Sequence, residues 1–324
     1  MTAARRKIFR VSLVGLWLLA AACAEAGPRL YVSNEFVDTV TVIDLQTEQP
    51  VATIDVGKRP RGIKASPDGR HVYVALGEDD AIGVIEVATN KVLENIPAGE
   101  DPEVFDISPD GRFLYVSNEE VNTASLIDIA ERKVVKSVRV GVEPEGVAVS
   151  PDGKWVYVSS ETSHTISVID AASFKVVATV LVGDRPRAIA FSPDGTRAYV
   201  TAEVGGNVSI LDAKAHKVLE TISVLRGEEK EKPMGVAVTP DGSKLYVSTG
   251  RGNTVAVIDA KTHNVLRYIP VGKRAWGIAI TPDGKRAFTA NGVSANVSVI
   301  DTETDKVVST LPAGKGAWGV AIVW

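Results

Sequence analysis

One cysteine stands among the 324 residues, Cys23, and it falls within the first 26. No disulfide can form within the chain, and both the Cys-x-x-Cys pairs of redox and zinc sites and the Cys-x-x-Cys-His signature of covalent haem are excluded. Histidine is also scarce. His71, His164, His216 and His263 are spread along the chain, with no spacing that suggests a metal cluster or a catalytic dyad. There is no glycine-rich phosphate loop, and the longest apolar stretch near the N-terminus, Val11 to Ala22, is too short to span a bilayer comfortably. No cofactor is therefore implied by any motif. Turn formers are what the chain has in quantity: 28 Gly and 16 Pro point to many tight connections and an all-β chain.

The first 26 residues differ from the rest. Arg5, Arg6, Lys7 and Arg10 precede the apolar stretch, the pattern of a secretory signal, so the expected division is residues 1–26 as signal peptide and 27–324 as one folded domain. Cleavage after Ala26 suits the small residues of Ala24-Glu25-Ala26; cleavage after Ala24, or lipidation of Cys23, are the alternatives. Loss of the segment removes four basic residues and Glu25, leaving 32 basic against 39 acidic residues and a net charge of −7. That balance disfavours a nucleic-acid partner. The expectation is an exported, periplasmic monomer without a transmembrane segment.

Internal repetition settles the architecture. The turn Pro-Asp-Gly recurs at 67–69, 109–111, 151–153, 193–195, 240–242 and 282–284, a period of 42 residues broken once by a five-residue insertion. An aromatic-led strand begins at Tyr31, Tyr73, Tyr115, Tyr157, Tyr199, Tyr246 and Phe288, and a third element ends at Asp44, Glu86, Asp128, Asp170, Asp212, Asp259 and Asp301. Helical periodicity is absent, so each repeat reads as four strands and the whole as a seven-bladed β-propeller of antiparallel blades. Because the chain starts on a second strand (Leu30–Asn34) and ends on a first strand (Gly319–Trp324), blade 1 is expected to be completed by the C-terminus. The aspartates that end the third strands read as turn-forming rather than catalytic.

Chemistry is expected where the repeats disagree. In a propeller the connections between the fourth and first strands share one face with those between the second and third. The residue just before the first strand reads, round the ring from blade 1 to blade 7, Trp318, Arg61, Glu103, Glu145, Arg187, Met234 and Trp276. One reading is a funnel mouth with an aromatic wall and a charged wall, suited to a small ligand or a partner's side chains; the other is two self-neutralising ion pairs with tryptophans capping the channel. Glu35, Glu119, Glu120, Glu161 and Glu203 add acids from neighbouring loops, with Asn34, Asn118 and Asn291 near them, and read as solvated in preference to metal-binding. The insertion at Val224–Pro233, rich in charge, is either a lid or an inert loop. Among the histidines only His164, after Glu161, sits at this face.

Units such as Leu30-Tyr31-Val32-Ser33-Asn34 and Gly146-Val147-Ala148-Val149-Ser150-Pro151-Asp152-Gly153 resemble the YVTN β-propeller repeat family over residues 29–324. The segments that break the repeat, among them Arg59-Pro60-Arg61-Gly62, Asp101-Pro102-Glu103, Glu143-Pro144-Glu145-Gly146, Arg185-Pro186-Arg187 and Ala275-Trp276-Gly277, are similar to those of the seven-repeat propellers associated with PQQ-dependent catabolism. The resemblance implies a periplasmic protein working beside a PQQ-dependent dehydrogenase or an ABC-type transport system, and supplies no catalytic residues. A non-catalytic binding or scaffold protein is therefore the leading expectation. The alternative is a lactonase-like or lyase-like enzyme using the loop acids with a divalent cation.

Overall fold

Alternating strands of branched residues and chemically over-determined turns produce seven four-stranded antiparallel sheets. The computed structural model describes residues 27–226 and 231–324; the secretory segment expected in residues 1–26 lies outside them. With strands lettered A to D from the axis outward, blade 4 is Pro144–Val149, Trp155–Ser160, Thr165–Asp170 and Lys175–Leu181. Blade 1 takes its A strand, Ala317–Val323, from the C-terminus and pairs it antiparallel with Arg29–Asn34, which closes the ring as expected. Blade 2 departs from the pattern, its D strand being split into Lys91–Val92 and Ile96–Pro97, both paired to Ala81–Glu86. Among the described residues no helix is long and apolar enough to cross a membrane.

The A–B turns show why Pro-Asp-Gly repeats. In blade 4 the Ser150 hydroxyl donates to Asp152 Oδ1 at 2.7 Å, the same oxygen accepts from Lys154 N at 3.1 Å, and Gly153 takes φ 71°, a left-handed value costly for a residue with a side chain. The C-strand aspartates act likewise: Asp44 Oδ1 accepts from the amides of Gln46 and Thr47. Their role is local, as the spacing implied. The core lies between blades, where the B-strand aromatics Tyr31, Tyr157, Tyr246 and Phe288 are wholly buried. The tyrosine hydroxyls reach the next blade: Tyr31 donates to Asn90 Oδ1 at 3.1 Å, and Tyr157 meets His216 Nδ1 at 2.8 Å.

A second inter-blade device was not foreseen. The third residue of the Tyr-Val strand is Ser or Thr in five blades, and each of these hydroxyls donates to the carbonyl of the next blade's mouth residue. Ser33 bonds Arg61 O, Ser117 bonds Glu145 O, Ser159 bonds Arg187 O and Thr201 bonds Met234 O, each at 2.6 Å, and Ser248 bonds Trp276 O. The same oxygens accept from an A-strand amide of their own blade, as Ser159 does from Gly146 N at 2.8 Å. Blades 2 and 7 have Ala75 and Ala290 at this position. Ser159→Ala would orphan a buried carbonyl and a buried amide; a loss of about 1–2 kcal/mol is expected, seen as a lowered denaturant midpoint with unchanged slope. An unaltered midpoint would show that the ring of hydroxyls is not stabilising.

Candidate functional site

Bulges aim the mouth residues. Pairing of the A and B strands skips between Pro60 and Ile63, Pro144 and Val147, Pro186 and Ile189, and Ala275 and Ile278, so Arg61, Glu145, Arg187 and Trp276 each stand on a bulge. A bulge turns a side chain out of the alternation that would bury it between sheets. The residue that follows is small because the backbones of neighbouring A strands touch there: a Cβ on Gly146 would lie 2.1 Å from Arg187 O. Glycine at this position is thus a consequence of crowding about the axis.

The ring divides into two walls. Trp276 and Trp318 are stacked, ring centres 5.8 Å apart and planes 26° from parallel. Opposite them the acids and arginines form two networks. Arg61 bonds Glu35 at 2.8 Å and Glu103, while Arg59 reaches Glu103 and Asp101. Arg187 holds Glu145 at 2.9 Å, Glu203 at 2.7 Å and Glu161, and Arg185 also engages Glu161 and Glu203. Arg187 joins the walls, its guanidinium lying 5.9 Å from the centre of the Trp276 ring, and Arg274 sits over the same ring at 5.0 Å. Met234, buried, fills the ring position between Arg187 and Trp276.

Several loop residues differ from the sequence reading. Glu161 and Glu203 are not solvated: Glu161 is 3% exposed and both carboxylates are consumed by arginines. Sequence distance hid this, because the partners lie 16 to 26 positions away on other loops. Asn34, Asn118 and Asn291 are fully buried braces: Asn34 Nδ2 donates to the Thr39 and Thr41 hydroxyls, and its Oδ1 accepts from Gly314 N. His164 Nδ1 accepts from Arg185 N at 3.1 Å, holding the loop that carries the arginine. Glu120 alone of the loop acids is exposed. Within the insertion, residues 227–230 lie outside the described residues, Arg226 pairs with Glu231 at 2.6 Å, and its guanidinium lies 4.4 Å from the Tyr268 ring centre.

Carboxylates outnumber guanidiniums here, and protons make up part of the difference. Burial, then the negative charge of Glu145, pushes Glu103 up to about 9 against the pull of Arg61 and Arg59. Burial and Glu145 likewise push Glu161 up to about 7. Glu145 itself, although burial works against its charge, is held below the ordinary carboxylate value by Arg187 and Arg61. Raised acids bind protons in the folded state that the unfolded chain gives up near 4.5. Their stabilising contribution is complete below that pH and disappears as pH climbs through about 7 for Glu161 and about 9 for Glu103. Stability, read as melting temperature, is expected to fall from about pH 4.5 to about pH 9, on the order of 1.4 kcal/mol per pH unit for each group at most, with Glu103 alone contributing above about pH 7. Glu103→Gln should flatten the alkaline limb of that profile, and an equally steep limb in the variant would refute the assignment.

Asp101, Glu103 and Glu119 each place an oxygen within 4.8 Å of the others, the spacing of a cation site. Arg59 hydrogen-bonds two of the three, so a cation would have to displace a guanidinium.

Two propeller family models divide the chain: a YNCE-like β-propeller model matches residues 38–152, and the seven-bladed β-propeller lactonase model matches residues 170–311. Among solved structures, a chain of Kuenenia stuttgartiensis hydrazine synthase is 26% identical with a TM-score of 0.80, the alignment covering 86% of this chain and 93% of that one. A functionally unknown protein from Desulfotomaculum acetoxidans DSM 771 superposes equally well, TM-score 0.80, at 19% identity over 91% of this chain and 98% of that one. Among curated proteins none matches. These likenesses agree with the fold and leave the activity open: one of the two family models is an enzyme's, and two proteins with the same frame differ widely from it in sequence.

Proposed function

We propose that the chain is a non-catalytic, periplasmic binding propeller that receives a partner's side chains or a small ligand at its mouth, in the service of PQQ-dependent alcohol catabolism or the transport system beside it. The carrying observation is the mouth itself. The seven positions at which the repeats disagree converge on one opening, where a stacked tryptophan pair faces a pre-paired charge network. Every buried carboxylate there is hydrogen-bonded to an arginine, an arrangement suited to holding a fixed electrostatic pattern rather than to presenting a free base. Aromatic anchors beside fixed charges are the composition of binding hot spots.

Replacing Trp276 and Trp318 together by Ala should leave melting within a few degrees of the parent and abolish capture of the partner in pull-downs from periplasm of alcohol-grown cells. Capture at parental levels by the double variant would end this reading. The lactonase model over residues 170–311 favours a second reading, an enzyme that uses the loop acids with a divalent cation. Its signature would be a calcium- or magnesium-dependent thermal shift and lactone hydrolysis, both lost when Glu119, Glu161 and Glu203 become Gln.

A further inference from the structure

Behind the mouth lies a cavity of about 580 Å³ running along the axis, from Glu145, Arg187, Trp276 and Trp318 at one end to Pro151 and Pro282 of the Pro-Asp-Gly turns at the other. Its volume is in the ~300–1,000 Å³ range of small-molecule sites. Its wall comes from the A strands and is mainly apolar, with branched aliphatic residues such as Val147, Ile189, Ile278 and Val320 among glycines and alanines. One register of the A strands holds alanine in five blades, Ala148, Ala190, Ala237, Ala279 and Ala321, and all of these but Ala237 line the cavity. In blades 2 and 3 that register holds Lys64 and Asp106, which pair with each other inside the channel.

We propose that this channel is a second binding compartment, for an uncharged, largely apolar small molecule carrying one oxygen acceptor that docks on the Lys64 ammonium. Asp106 is already committed. Its Oδ1 accepts from Ile107 N and its Oδ2 from Val149 N, both at 2.8 Å, so the carboxylate is fixed across blades 3 and 4, and Oδ1 also accepts from Lys64. Lys64 is not so consumed. One of its three N–H donors goes to Asp106, and the side chain stays 46% exposed in a space walled mainly by hydrocarbon. A donor with N–H groups to spare in a mainly apolar space gains from an acceptor oxygen brought by a ligand.

Charge selects against ions. Lys64 is balanced by Asp106, the mouth carries more carboxylates than guanidiniums, and the far end is ringed by the aspartates of six Pro-Asp-Gly turns. An anion meets repulsion at both ends, and a cation must compete with Lys64 for a carboxylate that already accepts from two backbone amides. A purely structural role explains the pair poorly, since five blades meet with alanine at the same register, and a half-exposed ion pair contributes about 0–1 kcal/mol.

The test is calorimetric titration with 2-octanone, octanoate and octylammonium. The ketone should bind saturably with one equivalent per chain, at least tenfold more tightly than either ion. Lys64→Met, similar in length but without donors, should weaken the ketone at least tenfold. Ala279→Leu, which narrows the channel from a partly exposed wall residue, should abolish binding with the melting transition retained. Absence of saturable ketone binding, undiminished binding by Lys64→Met, or preference for either ion would overturn the proposal. The mouth reading would survive that failure, because it is tested by Trp276 and Trp318 and a partner, not by this probe.

Discussion

A chain ending at Gly316 should show no cooperative melting transition. Deletion of residues 317–324 removes strand A of blade 1, whose pairing with Arg29–Asn34 runs from Arg29 opposite Val323 to Asn34 opposite Ala317. Leu30 and Val32, now wholly buried, would face solvent, and the backbone groups of their strand would lose their partners. Ser33 would lose the Gly319 amide it accepts at 2.9 Å. Each buried branched side chain exposed costs about 1.5–3 kcal/mol and each orphaned backbone group about 1–3. The sum, on the order of 10 kcal/mol, approaches the ~5–15 kcal/mol that holds an ordinary domain folded. Circular dichroism melting of the truncated chain is the measurement, and a cooperative transition within a few degrees of the parent would refute the argument. A circular permutant that begins at Gly314 and joins Trp324 to Gly27 keeps every strand, so it should melt close to the parent. That comparison separates loss of the strand from loss of chain ends at this seam.

The period of 42 residues made the frame legible because every blade repeats the same local solution: a Pro-Asp-Gly turn, an aromatic strand, an aspartate that caps a turn. It also made the mouth legible, since equal spacing in sequence becomes adjacency about an axis, and Trp276 and Trp318 do lie side by side. What escaped was decided by burial. Glu161 and Glu203 sit in loops that look solvated, and only the folded ring brings Arg185 and Arg187 onto them. Asn34 and Asn118, which in sequence stand beside loop acids read as solvated, are buried and act as braces for the connecting loops. The serine of Tyr-Val-Ser was visible in five repeats, but nothing local says that its hydroxyl crosses to the next blade. Lys64 and Asp106 were readable by the same alignment that exposed the mouth, three residues further along the A strand. They stand out once the other five blades are seen to hold alanine at that register.

Arg187→Met should be the most damaging single substitution at the mouth, and its cost should depend on pH. The side chain is 10% exposed and serves Glu145, Glu161 and Glu203 at once. Methionine fills the space but leaves Glu145, which no other arginine bonds directly, buried beside Glu161 with only the longer-range charges of Arg61 and Arg185 to offset it. Removing one partner of a buried ion pair costs about 3–5 kcal/mol, and here three carboxylates share the lost cation. At pH 8 the variant must either bury bare charge or take up protons, so the denaturant midpoint should drop sharply. At pH 5 Glu161, pushed up to about 7, is already protonated, so one of the three charges that Arg187 serves is gone and part of the deficit should vanish. Pairing Arg187→Met with Glu145→Gln removes a charge of each sign and should restore more than half of the loss at pH 8. Equal destabilisation at pH 5 and pH 8, with no rescue by Glu145→Gln, would mean that Arg187 acts through packing against Trp276 and that the network carries no electrostatic weight.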